Sequence, residues 1–167
     1  MKEIAFEYLL ENENRHWWHV GKHDCVGRFL RHYAPKARDL LDIGSSFGML
    51  RRFSDSGIRV HSLDRSLQIL RKYDLDLRIC ADAIHLPFQD GSFDTITALD
   101  LLEHLRDDEA GVEEMIRVLR PGGVLLMFVP AYRFLWSDLD EIGGHFRRYT
   151  PRSLRRLFQD RSDVSIQ

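Results

Sequence analysis

Cysteine, lysine, glycine-rich linkers and long apolar runs are all scarce in this chain, and each shortage removes a class of explanation. Only Cys25 and Cys80 occur among 167 residues. Two cysteines so far apart form neither a metal-ligand spacing nor a disulfide framework, which implies a reducing compartment and two buried, inert thiols. Apolar stretches such as Val124–Pro130 fall far short of the roughly 20 residues that cross a bilayer, and Met1-Lys2-Glu3 opens no apolar signal region. A cytoplasmic protein without integral membrane contact is expected. Arginine supplies 20 of the 24 basic residues and the net charge is −2, so no lysine-rich face or global field draws the chain to nucleic acid. Nucleic acid is therefore not an expected partner. The charge is uneven, with six arginines against one aspartate over residues 147–161; a solvated helix face explains this better than an anionic surface partner.

Repeats, low-complexity tracts and Gly/Ser linkers are absent as well, so residues 1–167 are expected to form one domain. At this length about 68–70% of the unfolded surface can be buried, enough for a core without disulfide or metal staples. What is present is alternation. Lys22–Tyr33 places Val26, Phe29, Leu30 and Tyr33 at helical spacing, with Pro35 as a stop. Leu40–Ile43 is a short buried strand ending in Gly44, and Gly48–Ser56 reads as a helix closed by Gly57. Arg59–Leu63 predicts the next strand, and Ser66 caps a helix to Tyr73. Leu77–Cys80, Phe93–Leu99 and Val124–Val129 are expected as three further buried strands, with a helix over Asp107–Leu119 between the last two. Thr150-Pro151 opens a last helix carrying Leu154, Leu157 and Phe158. Five strands alternating with helices predict an α/β, Rossmann-like, doubly wound and mostly parallel sheet with helices on both faces.

At the first strand-to-helix turn, Leu40-Leu41-Asp42-Ile43-Gly44-Ser45-Ser46-Phe47-Gly48 lets backbone N–H groups approach a ligand. Asp64 ends the second strand at roughly the 20-residue distance at which an acidic group reaches ribose hydroxyls in dinucleotide folds. That pair of acidic strand ends suits a nucleotide-type ligand. A nicotinamide dinucleotide is a poorer fit, because Gly44-x-x-x-Gly48 lacks the full G-x-G-x-x-G that fits a pyrophosphate.

The sequence resembles the class I S-adenosylmethionine-dependent methyltransferases, in their type 11 and type 23 branch. Leu40-Leu41-Asp42-Ile43-Gly44 is similar to their first motif and His61-Ser62-Leu63-Asp64 to their second. Residues 80–94 resemble the stretch leading to the adenine pocket and fourth strand. Leu102-Glu103-His104-Leu105 and Arg117–Gly123 match the segments after the fourth strand and before the fifth. The resemblance implies that Asp42 orients the methionine part of the cofactor, that Gly44, Ser46 and Gly48 form its backbone cradle, and that Asp64 binds the ribose. It further implies Asp82 and the Ala83 backbone at the adenine, Leu99 on the methionine side, and S-adenosylhomocysteine as product. The first motif departs from the glycine-rich form at Ser45 and Ser46, which leaves a non-catalytic cofactor-binding or scaffolding relative as the alternative, with a nicotinamide oxidoreductase more remote.

Methyl transfer from a sulfonium is an in-line displacement favoured by near-attack geometry in a water-poor pocket. His104 is the candidate general base, with an unperturbed pKa of about 6.5; packing a helix start is its other explanation. Glu103 either pairs with Arg106 or orients His104. An N-terminal His16-Trp17-Trp18 element resembles a lid in the same branch, with one Trp in the core and one facing the pocket. After the fifth strand, an aromatic run followed by Gly143-Gly144-His145 and Arg147-Arg148-Tyr149-Thr150 resembles the branch's acceptor loop. It nominates Tyr132, Trp136, His145, Arg147 and Tyr149, with His145 a second catalytic candidate and Arg147 suited to an anionic group on the acceptor; the loop's own aromatic packing is the alternative. No metal site is expected, since His16 and His19 lack partners at ligand spacing. The organisation expected is a helical lid over 1–35, a cofactor core over 36–130 and an acceptor-side loop with the last helix over 131–167, acting on a small molecule that is lipid-linked, a sugar or another polar metabolite. Members of the family continue into a sixth and seventh strand. Here Val164-Ser165-Ile166 is all that remains, so that strand pair is short or missing and the unfinished sheet edge offers a homodimer contact.

Overall fold

Five parallel strands form one sheet in the order β3-β2-β1-β4-β5. The computed structural model describes residues 17–45, 50, 53–54, 57–72 and 77–167, with the backbone alone at 17–19 and 72. β1 (Asp39–Ile43) lies at the centre with every residue buried. β2 (Arg59–Asp64) and β3 (Leu77–Cys80) lie on one side of it; β4 (Phe93–Leu99) and β5 (Leu119–Phe128) lie on the other.

Successive strand residues face opposite sides of a sheet, and β1 shows the consequence. Leu40 joins a cluster with Val26, Leu30, Leu50, Val60 and Leu99, whereas Leu41 and Ile43 join the larger cluster that contains Met115, Val118, Tyr149 and Phe158. The first cluster is covered by α1 (Trp17–Tyr33) and the second by α3 (Asp108–Val118). Between β2 and β3 runs α2 (Leu67–Lys72), where the Ser66 hydroxyl accepts from the Ile69 N–H at 3.4 Å as a cap. α4 (Asp138–Gly143) and α5 (Pro151–Arg156) follow β5. Thr150 caps α5, its Oγ1 accepting from Ser153 N at 3.1 Å, with Pro151 in the first turn. Among the described residues, no helix is long and apolar enough to cross a membrane.

The structure departs from the sequence expectations at identifiable points. α1 already includes Trp17, upstream of the expected Lys22. Only Val26 and Leu30 of its predicted face are buried; Phe29 and Tyr33 are exposed and stack on each other at 5.8 Å. β5 begins at Leu119, ahead of the expected Val124, since Pro121-Gly122-Gly123 passes through the strand as an irregularity where the pairing with β4 shifts register. A Cβ on Gly123 would lie 2.9 Å from the Asp94 carbonyl, so only glycine lets the two backbones approach there. Cys80 is exposed and Cys25 partly so, and both are free thiols; neither is the fully buried group expected. Residues 157–167 form no sixth strand, although Val164 packs on the core.

Candidate functional site

The strand order reverses direction at β1, so the crevice beyond the carboxyl ends of β1 and β4 is the switch point at which open α/β sheets bind ligands. Asp42 on β1 lies opposite Thr97 on β4 and accepts its hydroxyl proton at 2.7 Å. Asp42 is 4% exposed. Burial pushes its carboxyl up to about 7, against the Thr97 hydrogen bond and the charge of Lys22, which both pull it down. Just beyond, Gly44 turns with φ +76°, and a Cβ there would meet Leu101 Cδ1 at 3.0 Å. The turn therefore needs glycine for both conformation and space. The Ser45 hydroxyl that follows is buried and has no hydrogen-bond partner among the described residues. From α1, Lys22 reaches over this crevice to pair with Asp100, which follows β4 with φ 52°. This strap was invisible in the sequence, since nothing in local spacing couples residues in α1 and after β4.

Asp64 closes β2 beside the same crevice, 8% exposed. Its Oδ1 accepts the Ser66 N–H at 2.7 Å, and burial raises its carboxyl above the usual range while that hydrogen bond opposes the rise. Asp82 is exposed in the loop after β3, its Oδ1 accepting from Ile84 N at 3.2 Å, and Ala83 is buried beneath it. A clamp on α3 fixes this loop. Glu114 accepts the Leu86 N–H at 2.7 Å, and Arg117 donates to the carbonyls of Leu86 at 3.0 Å and Phe88 at 2.7 Å. The clamp also escaped sequence reading, although the Glu-x-x-Arg spacing on a helix was a usable signal. Leu99, 8% exposed, ends β4 within the α1-side cluster.

Past β4 a second group of polar residues gathers. Glu103 and His104 lie on a single turn of 3-10 helix, Leu102–His104. The Phe146 N–H donates to the Glu103 carbonyl at 2.8 Å, which pins the chain after α4 against that turn. The rings of His104 and His145 consequently meet edge to face, with centroids 4.7 Å apart. Burial, then the neighbouring His145, push the His104 imidazole down to about 4, so it is neutral at pH 7. Glu103 is 1% exposed and burial pushes its carboxyl up to about 8; its Oε2 has no hydrogen-bond partner among the described residues. The expected pairing of Glu103 with Arg106 is not formed, because the Arg106 guanidinium lies over the Phe146 ring at 4.9 Å.

Asp140, which sequence reading did not single out, is the hub of this region. It is 1% exposed. It accepts from Arg148 Nε at 2.7 Å and Nη2 at 2.8 Å, from Ser137 N at 2.8 Å, and faces His145 Nδ1 at 2.8 Å. Arg148 is the main cause that holds the Asp140 carboxyl well below the usual range. An ionised carboxylate only accepts, so His145 Nδ1 is the donor, and in the neutral ring Nε2 keeps the lone pair.

The other predicted residues divide. Arg147 is not free for an anionic ligand, since it pairs with Asp108 and donates to the Arg106 carbonyl at 2.7 Å. Tyr149 is 4% exposed and donates to Asp108 at 2.8 Å, which places it under the loop. Trp136 is half-buried beneath the Arg133 guanidinium at 3.7 Å. Tyr132, 41% exposed, stacks on Phe134. Ser46, Gly48, His16 and the side chain of Trp17 lie outside the described residues.

Residues 41–127 match the family model for a methyltransferase domain. The chain is 31% identical over 131 residues to a demethylmenaquinone methyltransferase of Renibacterium salmoninarum, covering 75% of this chain and 52% of that protein. It is 53% identical over 79 residues to the methyltransferase GfsG of Streptomyces halstedii, covering 46% of this chain and 28% of that one. The chain thus spans about half or less of the length of these curated relatives. Its fold is shared with the PH0226 protein of Pyrococcus horikoshii at a TM-score of 0.66 and 22% identity, covering 85% of this chain and 69% of that one.

Proposed function

The chain belongs to the methyltransferase-domain family matched over residues 41–127, and from that premise we propose that it transfers a methyl group from S-adenosylmethionine to a small-molecule acceptor. The observation that carries the reading is the pair of buried carboxylates, Asp42 and Asp64, at the carboxyl ends of adjacent parallel strands beside the Gly44 turn. The residues fit the cofactor. Gly44 gives the turn its left-handed bend at the end of β1, and the buried Ser45 hydroxyl beside it has no hydrogen-bond partner among the described residues.

When bound, the cofactor supplies an electrophilic methyl on a sulfonium, leaving S-adenosylhomocysteine as product. Asp64 takes the ribose hydroxyls, for which a carboxylate is the acceptor of choice. Asp42 faces the methionine part; a carboxyl pushed up to about 7 takes an ammonium partner by giving up a proton and regaining a charge. Gly44, with Ser46 and Gly48, forms the cradle, Asp82 and the Ala83 backbone hold the adenine, and Leu99 lines the methionine side. His104 and His145 are the catalytic pair. Removal of the acceptor's proton requires a neutral imidazole lone pair, which His104 keeps because burial pushes it down to about 4, and the Asp140 hydrogen bond fixes the orientation of His145. Tyr132 and Trp136 contribute aromatic surface to the acceptor's side. Trp17 and His16 complete the lid.

The test is release of S-adenosylhomocysteine across a panel of quinone, sugar, lipid-linked and small polar acceptors. Turnover with one acceptor class, reduced by His145→Ala and His104→Ala more in kcat than in cofactor affinity, supports the reading. Cofactor binding with no turnover on any class would leave a cofactor-binding relative, and binding of a nicotinamide dinucleotide in place of S-adenosylmethionine would make the protein an oxidoreductase.

A further inference from the structure

We propose that Glu103, His104 and His145 form a binding site for a divalent transition-metal cation at the acceptor end of the cleft. One ligand atom from each residue lies within 4.8 Å of the other two. Bonds of about 2.0–2.2 Å to a tetrahedral cation put ligand atoms roughly 3.4 Å apart, so rotation of the side chains by about an ångström closes the site.

Three independent features point to a cation rather than to chance proximity. The Glu103 Oε2 is buried without a hydrogen-bond partner among the described residues, in a side chain that is 1% exposed. A buried carboxyl oxygen left without a hydrogen bond is costly, and a cation that binds it removes that cost. His145 donates Nδ1 to the Asp140 carboxylate at 2.8 Å, the arrangement by which metal-bound histidines are oriented and made more basic. Arg148 holds Asp140 in turn through two bonds, at 2.7 and 2.8 Å. Finally, the backbone bond from Phe146 N to the Glu103 carbonyl fixes the distance between the two segments that supply the ligands.

Two imidazoles and one carboxylate suit zinc, iron(II), cobalt(II) or manganese(II) better than calcium or magnesium, which prefer all-oxygen shells. Three protein ligands leave coordination positions open, as in catalytic rather than structural sites. Those positions lie beyond the carboxyl ends of β4 and β5, where an acceptor bearing an oxygen donor would complete the shell and lose its hydroxyl proton more readily. This role for the open positions rests on the methyl-transfer reading, and there the cation replaces direct proton removal by the two histidines, the acceptor's hydroxyl proton passing to solvent water; cation binding does not depend on that reading.

Cobalt(II) is the probe, because its visible absorption reports nitrogen and oxygen ligation directly. Titration of the chelator-treated 167-residue chain is expected to saturate at one equivalent, and zinc should displace the signal. Glu103→Gln, nearly the same shape, and His145→Ala should each weaken binding at least tenfold, while Asp140→Asn should weaken it about 10- to 100-fold through the orientation of His145. Circular dichroism of each variant confirms that it is folded. Absence of saturable cobalt absorption, or saturation unchanged in both Glu103→Gln and His145→Ala, would overturn the proposal. Binding of S-adenosylhomocysteine is measured on the same sample, so a chain that binds cofactor without cobalt loses only this inference, and one that binds cobalt without cofactor loses only the methyl-transfer reading.

Discussion

Removing the Asp140 carboxylate should unfasten the acceptor-side loop, and the structure sets the size of the effect. Asp140→Ala takes away both bonds to Arg148, at 2.7 and 2.8 Å, the contact with His145 and the cap on Ser137 N. Arg148, with 16% of its side chain exposed, is left with the Ala131 carbonyl at 3.1 Å. Deleting one partner of a buried ion pair costs about 3–5 kcal/mol. Because Arg148 keeps one acceptor and can turn toward water, the lower end applies, about 3 kcal/mol. For a chain of this length that corresponds to a fall in Tm of roughly 6–12 °C, read by circular dichroism with urea unfolding as a second measure. The effect also has a pH signature. Asp140 is held below its ordinary range, so its contribution is complete above the unfolded pKa of about 3.9 and is lost as pH falls toward the folded value. The gap between wild type and Asp140→Ala should therefore be constant from pH 5 to 8 and narrower at pH 3. Adding Arg148→Ala should cost less than it does in the wild-type background. A loss below about 1 kcal/mol at pH 7, or a gap as wide at pH 3 as at pH 7, would refute the role of Asp140 as the hub of the loop.

Three further outcomes follow from the cofactor side. Thr97→Val leaves the buried Asp42 carboxyl without its 2.7 Å donor and should cost about 1–3 kcal/mol in urea unfolding; an unchanged midpoint would show that the bond contributes nothing. Gly44→Ala meets both the φ of +76° and Leu101 Cδ1 at 3.0 Å, so it should lose about 1–2 kcal/mol to backbone strain alone and weaken cofactor binding besides; wild-type stability would refute the turn geometry. In ligand-free protein, the Asp42 carboxyl is raised from 3.8 to about 7. Its contribution is fully present below about pH 4 and lost as pH rises through 7. Wild-type stability should thus fall more steeply than that of Asp42→Asn between pH 5 and 8, and parallel curves would show that Asp42 does not titrate there.

Strand spans and capped helices were legible in the sequence because local pattern determines them, although β3, expected to be buried, is an edge strand largely exposed to solvent and β5, at the other edge, is only partly buried. β3 and β4 span the expected Leu77–Cys80 and Phe93–Leu99, and Thr150 and Pro151 open α5 as their residue types require. The cofactor-side acids were legible too, since Asp42 and Asp64 end strands and strand ends define the crevice in an open sheet. What local pattern could not carry was any contact made across the sequence. Lys22 with Asp100, Arg147 with Asp108, and Asp140 with both Arg148 and His145 are brought together only when the loops fold over the sheet. The same limit explains Glu103. Helical spacing offered Arg106 as its partner, whereas the 3-10 turn carries it inward beside the two histidines. Phe134, in the aromatic run after β5, and Leu139 on α4 lie largely in solvent, 81% and 76% exposed.

Calorimetric titration with S-adenosylhomocysteine, on the wild-type chain and on Asp64→Ala, tests the central claim most directly. The account predicts saturable binding at one equivalent for the wild type. It predicts a loss of about 1–3 kcal/mol for Asp64→Ala, roughly five- to 150-fold in affinity, from the missing charge-assisted hydrogen bonds to the ribose. Wild-type protein that is folded yet binds neither S-adenosylhomocysteine nor S-adenosylmethionine would contradict it.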